Sequence, residues 1–409
     1  MRTHLIFPAG RAVIAGLFIL MAFTAAVADD DWPEFLGPNR DGTTSESNWR
    51  SRWGDDQPDA LWQKDVGTGH SSISIRDGRL YAIGNVDNDR DVVWCLDADS
   101  GEVIWTQSYP QKGGGSGHPG PRCTPTLDGD YVYTLSIDGT LLCLDDTRNG
   151  EVVWRKDARE DLSGKAGSWG FACSPLVLGD KLIVDVGTVV ALNKHTGEMI
   201  WSSGDYQAGY SSPVAFEHDG RTLLAVFNTF GLVILDAEDG SQLASYRWKT
   251  PYDVNAALPL IVEDRIFITS GYGTGGVLLK LTDEGLEEVW KTEALGSQFS
   301  SVILRDGYLY GFDGNVGGAR MKCLDFETGQ EVWAHRLSGA MILADDKFIV
   351  QGQAGELAVV EPDPQGYQEV SSMRLPRDKW WNIPVLLEGR IYCRSHRGKL
   401  ICLDVSTQQ

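Results

Sequence analysis

A segment that ends in tryptophan recurs along the chain and constrains the fold more than any other feature. Its copies read CLDADSGEVIW, CLDDTRNGEVVW, ALNKHTGEMIW, LKLTDEGLEEVW and CLDFETGQEVW, and they end at Trp105, Trp154, Trp201, Trp290 and Trp333. Degenerate copies occupy 234–244 and 359–370. The leucine or valine of each copy falls at 96, 144, 192, 235, 281, 324, 360 and 403, so the spacing is 36 to 48 residues. That spacing is typical of one four-stranded propeller blade.

Short alternating strands fill the intervals between copies. Examples are SSISI (71–75) and RLYAIG (79–84), which are separated by a polar turn and show the period-2 pattern of strands. The last copy stops at 402–405, before its tryptophan strand, and ALWQKDV at 60–66 supplies such a strand at the other end. We therefore predict an all-β fold: a single eight-bladed β-propeller of four-stranded blades, closed by pairing of the N- and C-terminal strands, which leaves no free sheet edge.

The residues of the repeat are expected to be structural. A large, mostly apolar tryptophan should pack between neighbouring blades while its indole N–H finds a backbone partner. The aspartate and glycine of the D-x-x-T-G segment predict a tight turn with a positive φ.

The cysteines follow the repeat as well. The chain has seven, and an odd number at equivalent places in different blades favours buried, small, apolar side chains. Disulfides are the alternative, because an exported protein meets an oxidising compartment. Four cysteines precede the repeat leucine, two share an inner-strand position and one stands apart: Cys95, Cys143, Cys323 and Cys402; Cys123 and Cys173; and Cys393.

The first 28 residues have the pattern of a secretory signal peptide. Arg2 and Arg11 precede the apolar run 13–27, and Ala26-Val27-Ala28 ends it, as in a cleavable leader. A retained membrane anchor is the alternative, but the run is short for a spanning helix. We predict a signal peptide at 1–28, a lead-in segment at 29–59 and the propeller at 60–409. The protein is expected to be periplasmic or extracellular, with no membrane span after cleavage.

The net charge of the chain limits the kinds of partner that it can bind. Lys and Arg total 36 and Asp and Glu total 57, for a formal net charge of −21. Nucleic acids and anionic membranes attract clustered basic residues, so neither is expected as a partner. We expect a monomer whose partners are exported proteins or a small molecule.

One face of the predicted disc holds the long and unusual loops. In an up-and-down blade, the fourth-to-first and second-to-third strand loops share this face, and first strands begin nearest the axis. A ring of aromatic, amide and cationic groups there is a plausible ligand site, and filling of the channel is the alternative. The predicted ring consists of His70, Arg122, Trp169, Tyr210, Asn255, Gln298 and Trp381.

Sequence motifs for catalysis are weak. The segment 271–276 matches G-x-G-x-x-G, but a strand and not a helix follows it, which does not support a dinucleotide fold. No H-E-x-x-H or G-x-S-x-G motif occurs, and the seven histidines are scattered among unrelated loops. No metal ligands are predicted.

The A/L-D-x-x-T-G-x-x-x-W repeat resembles the blade signature of the pyrroloquinoline-quinone (PQQ) repeat family over residues 60–409. That family includes quinoprotein alcohol dehydrogenases and the outer-membrane protein assembly factor B, a periplasmic propeller without a cofactor. The lead-in DWPEFLGPNRDG at 31–42 resembles the start of exported members. The resemblance implies an eight-bladed propeller, and it leaves open whether the chain is an enzyme.

The chain departs from the enzyme pattern, which implies a pair of adjacent cysteines against the cofactor. No two cysteines are adjacent here, and Asp253 and Asn255 are the one obvious calcium-like pair. We therefore expect a non-catalytic binding or scaffold module without a cofactor. The alternative is a small quinoprotein oxidoreductase for an alcohol or sugar, with PQQ and calcium, Asp253 as base and Asn255 as metal ligand. A carbohydrate-binding propeller is a third hypothesis.

Overall fold

A computed structural model of the chain describes residues 31–114, 117–315 and 317–407. The strands in these ranges form eight antiparallel blades of four strands each, arranged as a ring. The predicted all-β, eight-bladed propeller is confirmed. The predicted signal peptide at 1–28 lies outside the described residues.

In each blade the first strand lies at the axis and the fourth at the rim. The first four blades are β3 (Ser74–Arg76), β4 (Arg79–Val86), β5 (Arg90–Asp97) and β6 (Val103–Pro110) in blade 1; β7 (Thr126–Asp128), β8 (Tyr131–Leu135), β9 (Thr140–Asp145) and β10 (Glu151–Asp157) in blade 2; β11 (Leu176–Leu178), β12 (Lys181–Asp185), β13 (Val189–Asn193) and β14 (Met199–Ser203) in blade 3; and β15 (Val214–His218), β16 (Arg221–Phe227), β17 (Gly231–Asp236) and β18 (Gln242–Arg247) in blade 4.

The remaining blades are β19 (Leu260–Val262), β20 (Arg265–Ser270), β21 (Gly275–Thr282) and β22 (Gly285–Thr292) in blade 5; β23 (Ile303–Arg305), β24 (Tyr308–Asp313), β25 (Arg320–Asp325) and β26 (Glu331–His335) in blade 6; β27 (Gly339–Ala344), β28 (Lys347–Gly352), β29 (Glu356–Glu361) and β30 (Gln368–Arg374) in blade 7; and β31 (Val385–Leu387), β32 (Arg390–Arg394), β33 (Lys399–Asp404) and β2 (Ala60–Asp65) in blade 8. A short strand, β1 (Thr43–Thr44), adds to blade 7. Short 3₁₀ turns lie at Asp146–Arg148 and Pro251–Asp253. No helix in the described ranges is long and apolar enough to cross a bilayer.

The two ends of the chain close the ring in blade 8. Strand β2 pairs antiparallel with β33, from Ala60 opposite Leu403 to Asp65 opposite Lys399. The outer strand that the last sequence repeat lacks is therefore supplied by residues 60–65, as predicted.

The repeated tryptophans connect six of the eight blades to the next one. The indole N–H of Trp62 in blade 8 donates to Ala98 O after blade 1's third strand, at 3.0 Å. The equivalent bond from Trp290 reaches Phe326 O, also at 3.0 Å, while Trp105 reaches the Asp146 carboxylate at 2.7 Å. The predicted packing of tryptophan between blades, with a backbone partner for its N–H, holds for five of these tryptophans, and Trp105 differs because it bonds a carboxylate.

A glycine in the turn of the next blade packs against five of these six indole faces. A Cβ on Gly240 would lie 2.5 Å from Trp201 Cε3, and one on Gly150 would lie 2.5 Å from Trp105 Cε3. These glycines also have positive φ values, +74° and +76°, which residues with a side chain rarely adopt. Two independent constraints therefore require glycine at this position of the repeat.

Hydroxyl groups link the inner strands around the axis. The backbone N–H of Ser72 donates to Thr124 Oγ1, that of Thr124 to Ser174 Oγ, and that of Ser174 to Ser212 Oγ, over 2.9–3.0 Å. These residues precede the first strands of blades 1 to 4. We call this chain of hydrogen bonds the serine girdle.

The lead-in segment enters the axial channel. Trp32 exchanges two backbone hydrogen bonds of 2.8 Å with Ile75 in β3, and Leu127 N in β7 donates to Pro33 O at 2.9 Å. Strand β1 pairs in parallel with β27. The lead-in also contacts first-to-second strand turns at Asp31 and just beyond β1, where the backbone N–H groups of Asp77 and Glu388 donate to the side chains of Asp31 and Glu46. Residues 31–44, here called the plug, thus close the channel from that face.

A buried ion pair fixes the plug. Arg40 is 5% exposed and pairs with the Glu34 carboxylate. It also donates to Pro175 O at 3.0 Å and to Ser174 O at 3.1 Å at the entrance to blade 3. Burial raises the pKa of Glu34, and the Arg40 charge opposes that rise. The pair thereby ties the plug to the serine girdle.

All seven cysteines lie within the described residues, and each is buried and free of a disulfide there. Four of them lie on the third strand of a blade, each opposite a tyrosine of the second strand. Cys95 pairs with Tyr81 in this way, and Cys143 pairs with Tyr133. Burial raises the pKa of the Cys95 and Cys143 thiols to about 12. They therefore act as small apolar side chains, which was the favoured interpretation of the sequence.

Replacing the turn glycine under an indole should destabilise the ring more than replacing an open one. Gly240 and Gly220 both lie in blade 4 with φ of +74° and +73°, but no atom lies within 4 Å of a Cβ placed on Gly220. Gly220→Ala is expected to cost about 1 kcal/mol in the free energy of unfolding, for its left-handed backbone. Gly240→Ala should cost about 1–3 kcal/mol more, because the methyl group collides with Trp201. Denaturant unfolding of both variants measures the difference, and equal losses would contradict the interlock.

The plug ion pair should behave as a coupled unit. Arg40→Met leaves the Glu34 carboxylate buried without its cation, which is expected to cost about 3–5 kcal/mol of the free energy of unfolding. Adding Glu34→Gln removes that unpaired charge, so the double variant should be more stable than Arg40→Met alone. A double-mutant cycle by denaturant unfolding measures the coupling, and strictly additive losses would refute it.

Candidate functional site

A cavity of about 490 Å³ lies at the axis among the fourth-to-first and second-to-third strand loops. This volume is within the range of small-molecule sites. Phe35 of the plug lines it, together with Ser72, Ser174 and Ser212 of the serine girdle. Because the plug fills the channel from the opposite face, the cavity is a closed-ended cup, and we call it the cup.

Most of the predicted channel-mouth residues line the cup. Each of them lies just before the first strand of its blade, so the ring brings together side chains that are far apart in sequence. The predicted residues that line the cup are His70, Arg122, Trp169, Tyr210, Gln298 and Trp381.

Asn255 and Asp253 are placed differently. Asn255 is fully buried; its Nδ2 donates to Asn228 O at 2.7 Å and its Oδ1 accepts from Ser270 Oγ at 2.8 Å. Its neighbours Val254 and Ala256 line the cup, but Asn255 does not. Asp253 ends a 3₁₀ turn with φ of +54° and is also outside the cup lining. The side chain of Asn255 thus supports the loops around the cup.

Several other residues of the site lie outside the predicted ring. Tyr272 and Asn315 line the cup from second-to-third strand loops, and Phe299 lines it beside Gln298. The sequence did contain a signal for Tyr272 and Asn315, because their second-to-third strand loops were expected on the same face as the predicted ring. Phe35 had no such signal, because nothing in the sequence indicates that the lead-in segment turns into the channel.

Aromatic rings form much of the wall. Trp169 contacts Tyr210 edge to face, with 5.8 Å between ring centroids, and its backbone N–H donates to the Tyr210 hydroxyl. Phe299 lies 6.2 Å from Trp381 on another part of the wall. Gln298 Nε2 donates to the Tyr272 hydroxyl at 3.0 Å. These rings offer flat apolar surfaces with polar edges, which suits a ligand that contains a ring.

Three histidines that are remote in sequence come together around Trp381. The centroid of the His70 ring lies 4.7 Å from that of His396 and 6.0 Å from that of His118. Trp381 stacks on His70 at 5.5 Å and on His396 at 5.8 Å. The sequence had shown only histidines scattered among loops, and the ring closure of blade 8 against blade 1 is what joins them.

The cup lacks acidic groups. Asp and Glu contribute 57 residues to the chain, yet none of the described residues that line the cup is acidic. Arg122 donates to Gly120 O and His118 O, each at 2.9 Å. Desolvation lowers the pKa of Arg122 to about 10, and Tyr210 acts in the opposite direction. The guanidinium group is thus charged and held by neutral partners.

Burial is also the largest cause of the low pKa values of the histidines. Desolvation, then the charges of Arg122, His396, His118 and Arg394, holds the pKa of His70 well below its usual range. The pKa values of His118 and His396 are lowered for the same leading reason. The three imidazoles are therefore neutral at pH 7.

The sequence matches the family model described as outer membrane protein assembly factor BamB over residues 89–335, more than half of the chain. The chain belongs to this family. No curated protein matches the sequence at a significant level.

Solved structures of other proteins have the same fold as this BamB family member. BamB from Moraxella catarrhalis superposes with a TM-score of 0.62 at 15% identity, covering 86% of this chain and 99% of that one. A europium-containing methanol dehydrogenase gives 0.67 at 11% identity, covering 90% of each chain. The quinohemoprotein alcohol dehydrogenase from Comamonas testosteroni gives 0.67 at 14% identity, covering 93% and 81%. At these identities the similarity establishes the propeller fold and leaves the role of the cup to its own residues.

The buried histidine should make stability depend on pH. The pKa of His70 is lower in the folded state than its unfolded value of 6.5. The contribution of the neutral imidazole to the free energy of unfolding is therefore complete above pH 6.5 and is lost as the pH falls below that value. His70→Gln should reduce the slope of unfolding free energy against pH below 6.5, by at most about 1.4 kcal/mol per pH unit. Denaturant unfolding at several pH values measures the slope. The matched control is His195→Gln, in an exposed turn of blade 3, and an equal effect of both variants would contradict the assignment.

Proposed function

We propose that the chain is an exported, non-catalytic binding propeller that holds part of a small molecule or protein partner in the cup. The observation that carries this proposal is the cup itself: aromatic, hydroxyl, amide and cationic groups from many blades line a cavity whose base is closed by the chain's own plug. Such a concave, mostly apolar site with a few placed polar groups is typical of ligand recognition.

Family membership supports a role in binding and in the cell envelope. The family is described by an outer membrane protein assembly factor, and the sequence pattern of residues 1–28 favours export. Loops that a rigid ring places on one face are a common location for partner recognition. In this proposal the β-sheets keep the loops in fixed positions, and the loops provide the recognition.

The cup does not fit a quinone–metal centre of the dehydrogenase kind. Calcium and similar hard cations prefer oxygen ligands that include carboxylates, and none of the described lining residues is acidic. Asn255, the amide that would complete a pair with Asp253, already uses both ends of its side chain. In the described ranges, no group of three or more His, Cys, Asp or Glu side chains is placed to hold a metal.

Calorimetric titration of the mature protein with PQQ, in calcium or in chelator, separates the two functions. We expect no calcium-dependent binding and no dye reduction with alcohols or sugars, because the cup lacks a carboxylate ligand. Asp253→Asn should have no effect on any binding that occurs, whereas Trp381→Ala should weaken it about tenfold or more through lost ring contact. Calcium-dependent binding of PQQ, weakened by Asp253→Asn and accompanied by dye reduction, would refute the non-catalytic proposal.

A further inference from the structure

One corner of the cup concentrates positive charge in an otherwise acidic chain. Arg122 lines this corner, and it lies close enough to His70 and His118 to lower the pKa of both. Lys379 Nζ lies 5.3 Å from the centroid of the Trp381 ring. Arg394 is buried behind His70, where it donates to the backbone oxygens of Ser71 and Ile83 at 2.7 Å. We call Arg122, His70, His118 and Trp381 the cationic corner.

Most of the described arginines elsewhere in the chain have acidic partners. Arg265 pairs with Glu327 at 2.8 Å and Arg79 with Asp146 at 2.8 Å, and Arg390 pairs with Asp99. Neither Arg122 nor Arg394 forms an ion pair with any described residue; both donate to backbone oxygens and, for Arg394, to the Ser71 hydroxyl. A buried cation without a counter-charge is costly. An anionic group entering the cup would supply the missing charge at Arg122.

Two of the clustered histidines, one of which lines the cup, have a ring nitrogen without a hydrogen-bond partner among the described residues. His70 Nε2 and His396 Nδ1 are buried and have no hydrogen-bond partner among the described residues. A neutral imidazole can take a proton when an anion arrives, because the nearby negative charge favours the charged form. The corner can therefore increase its positive charge as the ligand binds.

Among the described residues, the charged groups that act on the three histidines are mostly cationic. Of the groups named below, Asp378 alone opposes the low pKa values, and it acts on His396; the others are cationic or are the histidines themselves. These groups are Arg122, His396, His118 and Arg394 at His70; Arg122 and Lys379 at His118; and Lys379, Asp378, His118 and Arg397 at His396.

We propose that the cup recognises a small molecule in which a planar ring carries an oxyanion, with the oxyanion at Arg122 and the histidines and the ring against Trp381. This inference rests on the proposed binding function and specifies its ligand class. The planar guanidinium fork suits carboxylate and related oxyanions, and the aromatic walls suit a flat ring. The cavity volume of about 490 Å³ fits a small molecule and not a folded domain.

A matched pair of ring compounds tests the charge requirement. Calorimetric titration would compare 2-naphthoate with 2-naphthamide, which has the same ring and no charge. One or two charge-assisted hydrogen bonds are worth about 1.5–3 kcal/mol, so the carboxylate should bind about 10- to 100-fold more tightly. Naphthalene-2-sulfonate distinguishes the oxyanions: comparable affinity indicates any oxyanion, and weaker affinity indicates a carboxylate site.

Variants locate the anion. Arg122→Gln should remove most of the preference for 2-naphthoate over 2-naphthamide while the affinity for the amide stays the same. Arg397→Gln, which removes an exposed arginine near the same face with 81% side-chain exposure, should leave the preference intact. If Arg122→Gln weakens both compounds equally, its role is structural and the proposed anion contact is refuted.

Proton uptake tests the histidines independently of folding defects. In the intact protein, the heat of 2-naphthoate binding at pH 7 should change with the ionisation enthalpy of the buffer, since protons are taken up. Affinity should also rise as pH falls from 7 towards 6, because protonated imidazoles become available. A heat that does not vary with buffer would overturn the role given to the histidines.

The failure of this inference can be distinguished from failure of the proposed function. Equal, measurable affinity for 2-naphthoate and 2-naphthamide would refute the oxyanion and leave the cup as a ring-binding site. If neither compound binds, and Trp381→Ala has no effect on binding of any ring compound tested, both the ligand class and the proposed small-molecule function fail.

Discussion

The contact of each rim tryptophan with the next blade is the interaction on which the rest of the structure depends. Six tryptophans donate their indole N–H to the following blade, and five of their indole faces cover a glycine whose φ is positive. Blades 4 and 7 have alanine and serine at this position, so six of the eight junctions carry the contact. Trp62 carries the same contact across the closure from blade 8 to blade 1. The ring therefore fixes the loops on its faces, and a site built from loops of several blades keeps its shape.

The plug changes what such a ring can do. A propeller with an open axis would have a water-filled channel, whereas Trp32 and the Arg40–Glu34 pair fill one end of it here. Phe35, which follows Glu34 directly, becomes part of the cup. Burial lowers the pKa values of Arg122 and His70, and a plug that keeps bulk water out of one side of the cavity favours such burial.

The fold could be predicted from the sequence because the repeat recurs once in every blade and marks the same structural position each time. Spacing predicted the blades, the orphan strand at 60–66 predicted the closure, and first-strand beginnings predicted six of the residues that line the cup. The path of the plug could not be predicted, because residues 31–44 belong to no repeat and their partners are spread over five blades. The histidine cluster was missed for a related reason: His70, His118 and His396 meet only through the closure of the ring. Asn255 shows that the position of a residue in the repeat does not predict the direction of its side chain, because its amide bonds Asn228 and Ser270 and does not line the cup.

A crystal structure of the mature protein grown with 2-naphthoate would show whether a plugged propeller presents a cationic, aromatic cup. We expect the carboxylate within hydrogen-bond distance of the Arg122 guanidinium, the ring against Trp381, and the plug, residues 31–44, inside the channel. A channel open through the disc, or a carboxylate bound away from Arg122, would contradict it.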